Sequence, residues 1–133
     1  MKVAELMTTK LETIGLDGTI GDAVEIISRA GVSAIPVIDR YGRAVGVVSA
    51  REILNAENAC ETPEGRERLF SRTPVLELMT AWPPTVEPDL DIRQAAQEML
   101  YLNLPRLFVQ YDGALVGVIS QTDIVGAVAT ARV

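Results

Sequence analysis

The chain has 133 residues, of which 48% are hydrophobic, and this composition predicts a globular protein with a core. Its 18 acidic residues outnumber its 12 basic ones, and the formal net charge of −6 argues against general binding to nucleic acid or acidic membranes, whose phosphates would be repelled. There is no histidine, and Cys60 is the only cysteine, so neither an intrachain disulfide nor a zinc cluster is expected. Without a histidine to act as a general base or to activate Cys60, an enzyme is the least favoured class.

The sequence carries no signal that directs it to a membrane. No apolar run is long enough to span a bilayer, and the N-terminal residues lack the apolar core of a signal peptide. The paired acids at Asp17/Asp22 and Asp89/Asp91 fall in predicted turns and helix starts, where acidic residues are favoured anyway, so no metal site is predicted. We expect a cytoplasmic protein that binds no metal.

The first 58 residues predict six elements in the order helix, strand, helix, strand, strand, helix. Residues 19–30 have apolar side chains at helical spacing, with Thr19 as a start signal and Gly31 as a stop signal. Short apolar runs on either side of a turn at 39–42 are typical of a strand hairpin. The predicted elements are a helical turn at 3–7, a short strand at 13–14, a helix at 19–30, strands at 34–38 and 44–48, and a helix after Ser49.

A charged connector follows at 59–74 and is predicted to be a partly helical surface bridge. Pro63 suits the first turn of a helix that runs to about Ser71, and Leu69 and Phe70 are its only bulky apolar residues. A solvated linker is the favoured interpretation of this segment.

Residues 75–133 repeat the first copy. Val3 to Thr8 matches Val75 to Thr80 at an offset of 72, and after the hairpin turn the offset becomes 71, which pairs Ser49 with Ser120. The second copy predicts a helix at 91–102 and strands at 107–110 and 114–119. Each copy is too small for a comfortable core of its own, so we expect one α/β module with two repeats, 1–58 and 75–133, packed about a pseudo-twofold axis.

Each copy contains a strand that runs directly into a helix. The first junction contains Gly46, Ser49 and Glu52, and the second contains Gly117, Ser120 and Asp123. A helix N-terminus presents unpaired N–H groups and suits an anion, and a glycine three residues earlier permits close approach of a backbone or a ligand. The serine and the acid three residues later also fit a capping box that needs no ligand. Judged by spacing alone, the cap is the favoured interpretation, because such motifs are common.

The repeated motifs resemble those of a tandem pair of cystathionine-β-synthase (CBS) domains, also called a Bateman module. The resemblance covers nearly the whole chain apart from the connector, and no catalytic or transport domain accompanies it, so it resembles a stand-alone module. The motifs are Leu6-Met7-Thr8, Leu78-Met79-Thr80, the segment Gly31-Val32-Ser33-Ala34-Ile35-Pro36-Val37-Ile38-Asp39, and the two junction segments.

The resemblance implies a regulatory module that binds an adenosine-containing ligand, AMP, ADP, ATP or S-adenosylmethionine, in clefts between the repeats. Occupancy would be signalled by a conformational change, with a homodimer as the assembly and a regulated enzyme or transporter as a possible partner class. The alternative is a protein-interaction or dimerisation module whose clefts are vestigial. The residues implied in nucleotide binding are Thr13, Ile14, Ile35, Pro36, Gly46, Ser49, Arg51 and Glu52 in the first repeat, and Thr85, Val86, Arg106, Leu107, Phe108, Gly117, Ser120 and Asp123 in the second.

The two repeats do not match the family pattern equally well. In that pattern an Asp carboxylate accepts hydrogen bonds from the ribose hydroxyls, and Asp123 fits it, whereas Glu52 carries an extra methylene. The base-pocket segment departs in the second repeat, where Phe108 replaces Pro36. We expect the Asp123 site to be the better nucleotide site, with Arg106 and Arg51 as candidate phosphate ligands.

Overall fold

The computed structural model describes residues 1–130, which form two compact units. The central unit is Glu12–Pro83, and the terminal unit consists of Met1–Leu11 together with the chain from Pro84 onward. The predicted α/β class is confirmed, with six α-helices and two sheets in these 130 residues. The units do not coincide with the sequence repeats, because the Leu-Met-Thr segment at the start of each repeat folds with the other repeat's sheet.

The central unit contains the first repeat from its short strand onward, the connector, and the start of the second repeat. A 3₁₀ turn at Val75–Glu77 stands where the first repeat has an α-helical turn, and the short strand at Thr80–Ala81 was not predicted. Its other elements are β1 (Ile14–Gly15), α2 (Ile20–Ala30), β2 (Ala34–Ile38), β3 (Ala44–Ser49), α3 (Ala50–Ala59), α4 (Pro63–Arg72) and β4 (Thr80–Ala81).

The central sheet has the strand order β1-β2-β3-β4. β1 is parallel to β2, β2 and β3 form the predicted antiparallel hairpin, and β4 is antiparallel to β3. Asp39 organises the hairpin turn by accepting hydrogen bonds from the backbone N–H groups of Tyr41 and Arg43 and from the Arg43 guanidinium. Desolvation raises the pKa of Asp39, but these hydrogen bonds outweigh it and lower the pKa below its ordinary value.

The connector is an integral part of the central unit and not a solvated linker. Leu69 of α4 is only 8% exposed and belongs to the same apolar cluster as Ile20 of α2. A Cβ atom placed on Gly21 would lie 2.6 Å from the Phe70 carbonyl oxygen, so α2 and α4 approach closely here. The predicted helix is therefore confirmed, and its two apolar residues anchor it to the core.

The terminal unit repeats the same plan with fewer strands. Its sheet has the order β5-β6-β7, with β5 parallel to β6 and β6 antiparallel to β7. None of the helices in the described residues is both long and apolar enough to cross a membrane. Its elements are α1 (Val3–Leu6), β5 (Thr85–Val86), α5 (Ile92–Leu102), β6 (Arg106–Tyr111), β7 (Ala114–Ser120) and α6 (Gln121–Ala129).

Candidate functional site

Both strand-to-helix junctions form complete capping boxes. Ser49 Oγ accepts a hydrogen bond from the backbone N–H of Glu52, and Ser120 Oγ accepts one from the N–H of Asp123. In return, the carboxylates of Glu52 and Asp123 accept from the backbone N–H of their serines. The two helices α3 and α6 are thus capped by the protein itself, as the spacing alone suggested.

The carboxylate of Glu52 accepts three hydrogen bonds within the central unit. Its Oε1 accepts hydrogen bonds from the backbone N–H of Ser49 at 2.9 Å and from Ser49 Oγ at 3.0 Å. Its Oε2 accepts a hydrogen bond from Thr80 Oγ1 at 2.9 Å. A ribose diol at this junction would therefore compete with donors that are already in place.

The carboxylate of Asp123 keeps one oxygen open. Its Oδ2 accepts the backbone N–H of Ser120 at 2.8 Å, whereas its Oδ1 accepts no hydrogen bond from any residue within 1–130. Asp123 is half-buried. An ionised carboxylate offers acceptors only, so the open oxygen suits a hydroxyl group of a ligand.

Several predicted residues of the terminal unit share one face of its sheet. Leu107 and Val109 point into the apolar cluster, so strand alternation places Arg106 and Phe108 on the opposite face. In the sheet register Ser120 lies opposite Arg106, and Thr85 lies opposite Phe108. The face thus brings together a cation, an aromatic ring that is 7% exposed, and the serine of the junction.

Within residues 1–130, the corresponding face of the central sheet has no cation opposite its junction serine. In the sheet register Ala34 lies opposite Ser49, in the place that Arg106 occupies beside Ser120. Pro36 stands where Phe108 stands in the terminal sheet, and Thr13 comes just before β1. Arg51 is exposed in the first turn of α3.

Four predicted base-pocket residues have their side chains in the apolar clusters. Ile14 and Ile35 belong to the core of the central unit, and Leu107 belongs to that of the terminal unit, with Val86 packed against it. Only backbone atoms of these residues are available to a ligand on the opposite sheet face.

The junction glycines make room for methionines of the Leu-Met-Thr segments. A Cβ atom on Gly117 would lie 2.7 Å from Met7 Sδ and 3.0 Å from the Thr8 carbonyl oxygen. A Cβ on Gly46 would overlap Met79 Sδ and lie 3.1 Å from the Thr80 carbonyl oxygen. The sequence left open whether these glycines admit a backbone or a ligand. In the structure, their close neighbours are protein atoms.

Sequence reasoning missed the part that Thr80 and the two methionines play at the junctions. The repeated Leu-Met-Thr motif was the available signal, but its position against β3 and β7 depends on long-range pairing. Within residues 1–130 no group of three or more Asp, Glu or Cys side chains is arranged to hold a metal ion.

Comparison with known sequences identifies the family. A family model for the CBS domain matches the chain twice, over residues 3–59 and 73–130. The chain belongs to the CBS domain family. The two matches agree with the duplication that the sequence predicts and cover most of the chain.

Relatives of this CBS pair differ in length. The CBS domain-containing protein YhcV of Bacillus subtilis is 29% identical over 122 residues, which cover 92% of this chain and 81% of YhcV. The uncharacterized protein MJ0188 of Methanocaldococcus jannaschii is 26% identical over 126 residues, which cover 94% of this chain but only 43% of MJ0188.

Among solved structures, CBSX2 of Arabidopsis thaliana, crystallised in complex with AMP, has a similar fold. The TM-score is 0.80 with 29% identity, and the match covers 99% of this chain and 98% of the CBSX2 chain. This similarity confirms the fold of a CBS pair.

The packing around Gly117 predicts that Gly117→Ala destabilises the protein. The added methyl group would collide with Met7 Sδ and with the Thr8 backbone, and such overpacking costs about 1–3 kcal/mol. Urea denaturation measures the loss. The matched control is Gly126→Ala in α6, where nothing lies within 4 Å of the new Cβ, so that change should leave stability unchanged or raise it. Equal stability of the two variants would contradict this packing.

Proposed function

We propose that this CBS pair is a regulatory, non-catalytic module that binds an adenosine-containing nucleotide at the β7–α6 junction of the terminal unit. The observation that carries the proposal is the open Oδ1 of Asp123, on a half-buried carboxylate next to Ser120. The AMP complex of CBSX2, a relative of 29% identity, supports the ligand class. AMP, ADP, ATP and S-adenosylmethionine are the candidates.

Each part of the ligand has a matching group on the sheet face described above. The Asp123 carboxylate accepts hydrogen bonds from the ribose hydroxyls, because it offers acceptors without competing donors. Arg106, opposite Ser120 in the register, supplies the positive charge that a phosphate needs in an acidic protein. Phe108 and Thr85 provide an apolar and a polar neighbour for the base. The binding free energy of the ligand stabilises whichever conformation it selects, which is how occupancy is signalled.

The backbone N–H groups of α6 contribute little to this site. Gln121 N–H donates to the Pro105 carbonyl at 2.9 Å, and Asp123 N–H donates to Ser120 Oγ at 3.1 Å. Two of the N–H groups that a helix start usually offers to an anion are therefore used within the protein. Recognition of the phosphate consequently depends on the Arg106 side chain.

Addition of one adenosine-containing ligand should raise the melting temperature, and GTP should not. At one hundred times its dissociation constant a ligand stabilises by about 2.7 kcal/mol, which is on the order of 10 °C for a chain of this size. Asp123→Asn keeps an oxygen for the cap but adds an amide donor, so we expect it to weaken binding about tenfold or more.

The matched control for Asp123→Asn is Asp89→Asn, which changes an exposed acid of the same unit outside the site. It should bind as the unaltered protein does. A series without any stabilising adenosine compound, or full binding by Asp123→Asn, contradicts the proposal.

Arg106 is expected to act on the phosphate alone. Arg106→Gln should weaken AMP binding by about 10- to 100-fold, because a charge-assisted hydrogen bond is worth about 1.5–3 kcal/mol, while leaving the affinity for adenosine unchanged. Isothermal titration of the two ligands makes the comparison. Equal weakening of AMP and adenosine would show that Arg106 does not contact the phosphate.

We further propose that two chains form a homodimer through the apolar surface of α5 and α6. On α5 Leu100 is 73% exposed and Tyr101 86% exposed, and on α6 Val125 and Val128 are also exposed. Exposed apolar residues on two helices that contact each other indicate an interaction surface.

Light scattering should give a mass of twice the 14.4 kDa chain. The double variant Leu100→Glu/Tyr101→Glu should give the single-chain mass, because charged residues oppose burial of this surface. Leu76→Glu, at an exposed apolar residue of the central unit, is the control and should leave the dimer intact. A monomeric unaltered protein would contradict the assembly.

A further inference from the structure

We infer that the two junctions have different roles: Glu52 and Thr80 form an internal clasp, so that each chain binds one nucleotide and not two. The clasp rests on the hydrogen bonds of the central unit alone. The count of one nucleotide per chain also rests on the proposed function, because it takes the Asp123 junction as the occupied one.

The carboxylate oxygens of Glu52 already accept hydrogen bonds from the protein. Both of its oxygens receive hydrogen bonds, Oε1 from Ser49 and Oε2 from Thr80. A ribose diol that bound here would compete with the Thr80 hydroxyl for Oε2, because three of the roughly four acceptor sites of the carboxylate are already used. Exchange of one hydroxyl donor for another yields little net free energy.

The equivalent residues of the terminal unit, Thr8 and Asp123, are not joined in this way. Thr8 corresponds to Thr80, and its backbone exchanges hydrogen bonds of 2.8 and 3.0 Å with Val118. Yet within residues 1–130 its hydroxyl donates no hydrogen bond to Asp123. The additional methylene of Glu52 gives its carboxylate the reach that the Asp123 side chain lacks. The same sequence difference therefore closes one junction and leaves the other open.

The two junctions also differ in the charge of the residue opposite the junction serine. The residue opposite the junction serine is Arg106 in the terminal sheet and Ala34 in the central sheet. In a protein with a net charge of −6, a phosphate site without an adjacent cation is unfavourable. At the central junction no cation lies opposite the serine in the sheet register, and the candidate cation there is Arg51, which is exposed in the first turn of α3.

The clasp also accounts for a structural difference between the units. Thr80 begins β4, and after it the Trp82 N–H donates to the Val45 carbonyl at 2.9 Å, so pairing with β3 continues. In the terminal unit the pairing at Thr8 is an isolated bridge to Val118 without a following strand. The side-chain bond from Thr80 to Glu52 holds the start of β4 against α3 in addition to the backbone pairing.

Amide hydrogen exchange of two isosteric variants tests the clasp without any ligand. Thr80→Val removes the hydroxyl donor, so exchange at the Trp82 amide should accelerate several-fold, because β4 opens more often. Thr8→Val is the matched control and should leave exchange at the Val118 amide unchanged. Unchanged exchange in Thr80→Val would overturn the clasp.

A melting-temperature cycle provides a second test. Thr80→Val should lower the melting temperature of the unaltered protein but not that of Glu52→Ala, whereas Thr8→Val and Asp123→Ala should be additive. Additive losses for Thr80 and Glu52 would also overturn the clasp.

Isothermal titration with AMP tests the number of sites. One equivalent per chain is expected for the unaltered protein and for Glu52→Gln, with the same dissociation constant. Two equivalents, of which Glu52→Gln loses one, would overturn the inference although the proposed function would stand. If AMP and the other adenosine compounds do not bind at all, the proposed function fails, and the exchange experiment still decides on the clasp.

Discussion

In each unit, a close contact between a methionine and a glycine joins a segment of one repeat to the sheet of the other repeat. Met79 packs over Gly46 and Met7 over Gly117, with backbone carbonyl oxygens about 3 Å from where a Cβ would lie. This close approach lets the Leu-Met-Thr segment of one repeat pair with the last strand of the other repeat. Each unit therefore contains residues of both sequence repeats.

The two strand-to-helix junctions have the same backbone arrangement, but the acid of the central junction is one methylene longer than that of the terminal junction. The glutamate at the central junction reaches a threonine, and both of its oxygens accept hydrogen bonds within the protein. The aspartate at the terminal junction caps its helix with one oxygen, and within residues 1–130 the other oxygen accepts no hydrogen bond. A capping box and a binding site are thus compatible in the same carboxylate, provided that the cap uses only one of its oxygens. The duplication gave the chain two junctions with the same capping box, and the side chains at positions 52 and 123 make them different.

Local features of the structure were predictable from the sequence, and contacts between distant residues were not. The capping boxes at Ser49 and Ser120 and the helix between Thr19 and Gly31 depend on residues at most a few turns apart. The bond from Thr80 to Glu52 joins residues 28 positions apart, and it depends on the register of β4, which a two-residue strand does not reveal in its sequence. Ile35 and Leu107 were placed in the base pocket by the family resemblance, and in the structure their side chains lie in the apolar clusters, so any contact with a base would be through their backbone atoms.

The open carboxylate oxygen of Asp123 is expected to receive the ribose. A crystal structure of the protein grown with AMP tests it most directly. AMP is expected in the terminal unit, with a ribose hydroxyl within about 3 Å of Asp123 Oδ1 and the phosphate next to Arg106, while Thr80 still donates to Glu52. AMP bound at Glu52 with the Thr80 bond broken, or bound away from both junctions, would contradict it.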